Sequence, residues 1–156
     1  MSVSRRFRPI TCLGFACLAG CGGASPEDAY REYLRALAEA DYTQAFAMLS
    51  EDSRRDIERL RASAEAASAP TLIEPDDLRA RIRGVESTEA AFRALITGGV
   101  PGATPPLTPD RAANLRLTPL ENSADLAVLE VETALGPRRV ELRRENSRWK
   151  VVLTGL

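Results

Sequence analysis

Three thiols, three phenols, one primary side-chain amine and no imidazole bound the chemistry open to this chain. The thiols are Cys12, Cys17 and Cys21, the phenols are Tyr30, Tyr33 and Tyr42, and the amine is Lys150. Without histidine the commonest general base and the commonest zinc ligand are missing. No Gly-x-Ser-x-Gly elbow occurs, so serine catalysis has neither its turn nor its base. Gly98-Gly99-Val100-Pro101-Gly102 is followed by Ala103 where a nucleotide-binding loop places its lysine, and it does not make such a phosphate cradle. Asp76 and Asp77 lack the alternating spacing of a calcium loop and suit a helix start instead. No catalytic residue, metal ligand set or cofactor is assigned. Tyr30, Tyr33, Tyr42 and Trp149 are the candidates to line a pocket, and helical spacing of the tyrosines favours a core role.

The one thiol with suggestive neighbours is Cys21. Arg5, Arg6 and Arg8 form a basic head, and Ile10 to Ala19 is apolar or small apart from Thr11. That is the order of a secretory signal. As a helix the run from Ile10 to Gly20 spans only about 16 Å, against a hydrocarbon core of about 30 Å, so a permanent transmembrane helix is the weaker reading. Leu18-Ala19-Gly20-Cys21 resembles the bacterial lipobox at all four positions. The resemblance implies cleavage between Gly20 and Cys21, a diacylglyceryl thioether on the Cys21 sulfur, and acylation (palmitate-type) of the new amino group. A single acyl chain holds a membrane only marginally, whereas two or three anchor stably. Ser4-Arg5-Arg6-Phe7 departs from a twin-arginine signal in the place of its phenylalanine. Gly22 follows the cysteine where inner-membrane retention would call for aspartate. By the same resemblance the anchor belongs to the outer membrane, facing the periplasm, in a double-membraned bacterium.

Cleavage there removes Arg5, Arg6 and Arg8 and takes 21 basic residues to 18 against 22 acids, a net charge of −4. An acidic body without a basic stripe excludes nucleic acid as the expected partner. The remaining 136 of 156 residues suffice for one domain with a modest core. With Cys12 and Cys17 lost and Cys21 acylated, no disulfide holds that domain together.

The expected organisation is a signal peptide over 1–20, a lipidated tether over 21–25 and an α+β domain over 26–156. Ser25-Pro26-Glu27-Asp28 spells a capping box with proline at the first helical position. Tyr30, Tyr33, Leu34 and Leu37 then share a face. Asp41 caps a second helix with Gln44 three residues on, and Ser50 opens a third, reaching about Ala67 with Ile57, Leu60 and Ala64 inward. Arg54, Arg55, Arg59 and Arg61 interleave with Asp56 and Glu58 as a solvated face. Glu74 to Asp77 begins a short helix that Gly84 ends, and Ser87 caps another carrying Phe92, Leu95 and Ile96. Helices thus occupy 26–97, a Gly/Pro-rich loop 98–110 and a sheet 112–156. In that sheet Leu115 and Leu117 alternate until Pro119, Glu121 to Ser123 turn, and Leu126 to Ala134 form a strand. Gly136-Pro137 and Glu145 to Ser147 make the next turns around Val140 and Leu142, and Trp149, Val151 and Leu153 alternate last. Consecutive strands with short turns predict an antiparallel four-stranded meander, with the N-terminal helices covering its apolar face.

Pro26 to Leu34, Ala40-Asp41-Tyr42, Ala45-Phe46, Leu49-Ser50 and Arg148-Trp149-Lys150-Val151 resemble the opening helices and closing strand of ketosteroid-isomerase-like domains. This cone-shaped, cystatin-like fold is shared with nuclear transport factor two. The resemblance implies a curved sheet with a pocket in its concave face, while the segment from Glu51 to Thr97 departs from it as extra helix. No catalytic residue carries over. The expectation for function is a membrane-anchored, non-catalytic binding or structural module. Its partner would be an envelope protein or an apolar small molecule, engaged through the adaptable 98–109 segment. The alternative is a pocket enzyme of the isomerase or dehydratase type, which an acid buried against a tyrosine would favour.

Overall fold

A computed structural model describes residues 24–66, 78–98, 108–133 and 136–154. Cleavage at Gly20, lipidation of Cys21, the tether up to residue 23, the break at 68–71, the helix start at 74–77 and most of the 98–109 segment lie outside the described residues.

The fold is α+β. Helix α1 (Pro26–Ala38) starts at the expected capping box. The Asp28 N–H donates to Ser25 Oγ at 3.1 Å, and the Ser25 N–H returns a bond to the Asp28 carboxylate at 3.3 Å. It ends in a Schellman-type turn, with the Asp41 N–H on the Ala36 carbonyl at 2.8 Å and the Ala40 N–H on the Leu37 carbonyl at 3.1 Å. Ala40 takes the left-handed conformation there (φ 57) without being glycine. Asp41 caps α2 (Tyr42–Ala47) through the Gln44 N–H at 3.0 Å. Helix α3 (Glu51–Ala66) buries Ser53, Ile57 and Ala64. Helix α4 (Leu78–Ile82) is short, and Gly84, at φ 76, takes the chain out of it. Ser87 caps α5 (Thr88–Thr97), which buries Ala91, Phe92 and Leu95.

Several boundaries differ from expectation; Gly136 and Pro137, read as a turn, pair with Thr133 and Glu132 in the ladder, and Glu145 pairs with Arg148. The chain around Pro109, read as loop and then strand, forms α6 (Pro109–Asn114). Thr108 caps it and Pro109 opens it, the same signal that starts α1. Arg31 of α1 donates to the Ala113 and Leu115 carbonyls at 2.8 and 3.0 Å, satisfying acceptors at the helix end. Consequently the sheet starts at Leu117 rather than 112. Its first strand, β1 (Leu117–Asn122), runs through Pro119 and includes Glu121 and Asn122, which were expected to turn. The reason is geometric. The Glu132 N–H donates to the Arg116 carbonyl, so antiparallel alternation aims the Pro119 nitrogen away from the ladder, where no bond is lost. A register shift between Pro119 and Glu121 then bulges the strand.

Strands β2 (Leu126–Thr133), β3 (Gly136–Glu145) and β4 (Arg148–Val152) complete a meander in the order β1-β2-β3-β4, all antiparallel. Leu153 falls just beyond the last strand. Asn146 and Ser147 both have positive φ (49 and 65), as a two-residue turn matching the strand twist requires. Ala127, Leu129 and Val131 of β2, Leu142 of β3 and Val151 of β4 are at most 2 % exposed and share a core with Tyr30, Tyr33, Leu34, Ile57, Ile82, Phe92 and Leu95. The opposite face carries Arg143 paired with Lys150 and Glu145 paired with Arg148.

The outer margin of β4 is closed by the segment joining α2 to α3. The Val151 N–H donates to the Met48 carbonyl at 3.0 Å, and the Ser50 N–H donates to the Val151 carbonyl at 2.9 Å, a parallel bridge. Ser50 and Ser53 are both buried beside it. Ser53 Oγ accepts from the Ser50 hydroxyl at 2.9 Å and from the Leu153 N–H at 2.9 Å. Ser53→Ala strands both donors and should cost about 1–3 kcal/mol in urea unfolding, while Ser63→Ala on the exposed side of α3 stays within about 0.5 kcal/mol. Ala40→Gly should raise stability by about 1 kcal/mol by the same measurement, because it relieves a left-handed alanine.

Candidate functional site

The four aromatic candidates occupy different surroundings. Tyr30 and Tyr33 are 4 % and 3 % exposed and stack on each other, with ring centroids 6.1 Å apart. They belong to the packing between α1 and the rest of the core. Burial, and secondarily the Tyr30 phenol, push the Tyr33 hydroxyl well above its ordinary value near 10. Tyr42 and Trp149 are half-buried, and each lies beneath an arginine. Arg93 sits 5.4 Å from the Tyr42 ring centre, and Arg144 sits 5.9 Å from that of Trp149.

Tyr42 alone of the four lines the surface depression that the described residues enclose between the α1–α2 turn and the start of α5. Its volume is about 350 Å³, and its walls are Ala40, Asp41, Tyr42, Thr43, Ser87, Glu89, Ala90 and Arg93. The elements explain the cluster. Asp41 and Ser87 are N-caps, so both helices present their first turns here. Thr43 donates to Glu89 at 2.6 Å across the gap, and Gln44 donates to Glu32 at 3.0 Å beside it. Phe46 and Phe92, 5.7 Å apart, fix α2 against α5 underneath. The hollow is polar and open, and its ionic groups already serve caps, a hydroxyl and a ring. Residues 40–43 and 87–93 come together only by folding, so no local signal placed them at one site.

The arginines of α3 divide into two kinds. Arg55 pairs with Glu51 at 2.5 Å and Asp52 at 3.2 Å, Arg59 pairs with Asp56, and Arg61 bridges Glu58 and Glu65 at 2.8 and 2.6 Å. The pairs of Arg55 and Arg59 are exposed and contribute little stability. Arg61 and the Thr88 hydroxyl hold the Glu58 carboxyl down at about 2, and Arg55 lowers that of Glu51. Arg54 behaves otherwise. It is half-buried, its Nε is buried without a hydrogen-bond partner, and no salt bridge to it is formed among the described residues.

Among the described residues no group of three His, Cys, Asp or Glu is placed to hold a metal, and no helix is long and apolar enough to cross a membrane. Compared with protein-family models, with curated proteins and with solved structures, the chain matches none.

The displaced phenol carries a pH signature. An unfolded tyrosine ionises near pH 10. Folded Tyr33 keeps its proton to higher pH, so its contribution to stability is intact below pH 10 and is lost as pH rises beyond that. Unfolding free energy measured by urea titration should therefore fall above pH 10, and Tyr33→Phe should flatten that limb while leaving the neutral region within about 1 kcal/mol.

Proposed function

We propose that the chain is a lipid-anchored bacterial envelope protein whose domain is a non-catalytic binding or structural module. The observation that carries this reading is the coincidence of a basic head, a short apolar run and Leu18-Ala19-Gly20-Cys21. Cys21 bears the anchor, and the domain stands at the outer membrane facing the periplasm. Its architecture is of the cone-shaped, ketosteroid-isomerase-like kind, and α3 to α5 are additions to it. Support for that finer assignment comes from the opening pair α1 and α2 and from Trp149 just after the last turn.

Support for a module rather than an enzyme is physical. A proton-abstracting carboxylate in a pocket is usually held near neutrality by burial or by a like charge. Here the displaced carboxylates, exposed Glu51 and half-buried Glu58, are driven downward by arginines and, for Glu58, by the Thr88 hydroxyl. The displaced phenol, Tyr33, neighbours another phenol. The helix-facing side of the sheet is filled by Leu129, Val131, Leu142 and Val151.

The anchor is tested on the native protein. Intact-mass spectrometry of the membrane fraction should show a chain beginning at Cys21 with a diacylglyceryl group and further acylation. Cys21→Ser should move the protein out of that fraction. An unmodified chain starting at Met1, or membrane attachment unchanged by Cys21→Ser, would overturn the proposal.

A further inference from the structure

The margin of β4 holds three cations, Arg54, Arg148 and Lys150, against one close acid, Glu145. Arg148 and Lys150 stand two apart on one strand and therefore share a face, with Cα atoms about 7 Å apart. That face is the outer one, away from the core. Arg54 joins them from α3, one turn beyond Ser50, whose backbone is bonded to Val151. The Lys150 ammonium reaches the Ala47 carbonyl at 2.6 Å, at the end of α2.

Glu145, which faces Arg148 across the ladder, is the one acid that acts on Lys150, and the other nearby carboxylates serve other groups. Asp52 binds Arg55 and Arg143, Glu141 binds Arg143, Glu51 binds Arg55, and both oxygens of Glu145 accept from the Glu51 N–H. No salt bridge within 4.0 Å compensates Arg54, Arg148 or Lys150 among the described residues. Partial burial, then the charges of Arg54 and Arg148, make Lys150 easier to deprotonate than an ordinary lysine against a smaller opposing pull from Glu145, so each arginine lies within electrostatic reach of Lys150. A buried guanidinium N–H without an acceptor is costly, and Arg54 Nε is one. The corner also runs against the acidic balance of residues 21–156.

We propose that Arg54, Arg148 and Lys150 form a binding site for a phosphate group, where the β4 margin meets the α2–α3 segment. Two guanidinium groups and an ammonium supply more donors and charge than one carboxylate can use, and they suit an oxyanion with several acceptor oxygens. The phosphate can belong to a soluble ester or to an anionic lipid headgroup, and the site does not depend on acylation of Cys21.

Two features of the sequence make the test direct. Lys150 is the chain's lone lysine, and Trp149 beside it is the lone tryptophan. The full chain in a nonionic detergent is titrated with inorganic phosphate and, separately, with short-chain phosphatidylglycerol or phosphatidylcholine. Sodium chloride at matched ionic strength is the control. Trp149 emission and amine labelling of Lys150, read by mass spectrometry, report occupancy. Saturable protection of Lys150 by phosphate identifies a soluble ester as sufficient, and protection by phosphatidylglycerol alone assigns a lipid headgroup. Arg148→Gln and Arg54→Gln should each weaken binding at least tenfold, and Arg59→Gln, on the paired face of α3, should change it less than twofold. Since Arg54→Gln can disturb folding, the exposed Arg148→Gln decides alone if the other variant is unstable. No protection by either ligand, an equal effect of chloride, or binding indifferent to Arg148→Gln overturns the proposal.

Discussion

The two backbone bonds between Val151 and the Met48–Ser50 segment join the halves of this domain. They link the last strand to the entrance of α3, and Ser53 extends the junction to Leu153, a hundred residues away in sequence. The junction finishes the sheet on one side, using chain that is otherwise a helix connector. It also sets where α3 starts, since Ser50 must be extended to pair and at the same time cap the helix that follows. Both serines are buried because their hydroxyls satisfy donors that water cannot reach. With no disulfide formed among the described residues, such polar contacts and side-chain packing hold the two halves in register.

Much of the architecture was legible because it is written locally. Ser25, Asp41 and Ser87 cap helices by bonds to the backbone three residues on, and the side chains that do this can be recognised without knowing the fold. Alternation around Leu129 and Leu142 reads directly as strands with one buried face. Other features escaped a local reading, two of them instructive. Thr108-Pro109-Asp110 is as good a helix start as Ser25-Pro26-Glu27, but surrounding prolines and glycines marked the stretch as loop. Pro119 looked like a strand terminator, and only its pairing shows that its nitrogen faces outward. The site was less legible than the fold. The depression beside Tyr42 depends on two segments 45 residues apart, and the difference between Arg54 and Arg55 depends on which side of α3 meets the sheet.

Charge is distributed unevenly over this acidic domain. Along α3 acids and arginines alternate at three- and four-residue spacing and cancel locally. On the outer face of β3 and β4 the acids are drawn toward Arg143 and toward the start of α3, which leaves three cations near the β4 margin against one acid, Glu145. Two surfaces with similar composition thus present different fields, and only the second leaves donors free for an outside acceptor.

The bulge at Pro119 has a consequence for molecules held side by side. A sheet grows across molecules when an unpaired strand offers a continuous row of donors and acceptors to a newcomer. Here one flank is occupied by the chain's own connector. The other lacks a donor at Pro119 and bends at Leu120, so an incoming strand loses register after a few residues. Edge-to-edge pairing between two copies of the sheet is therefore cut short at both flanks.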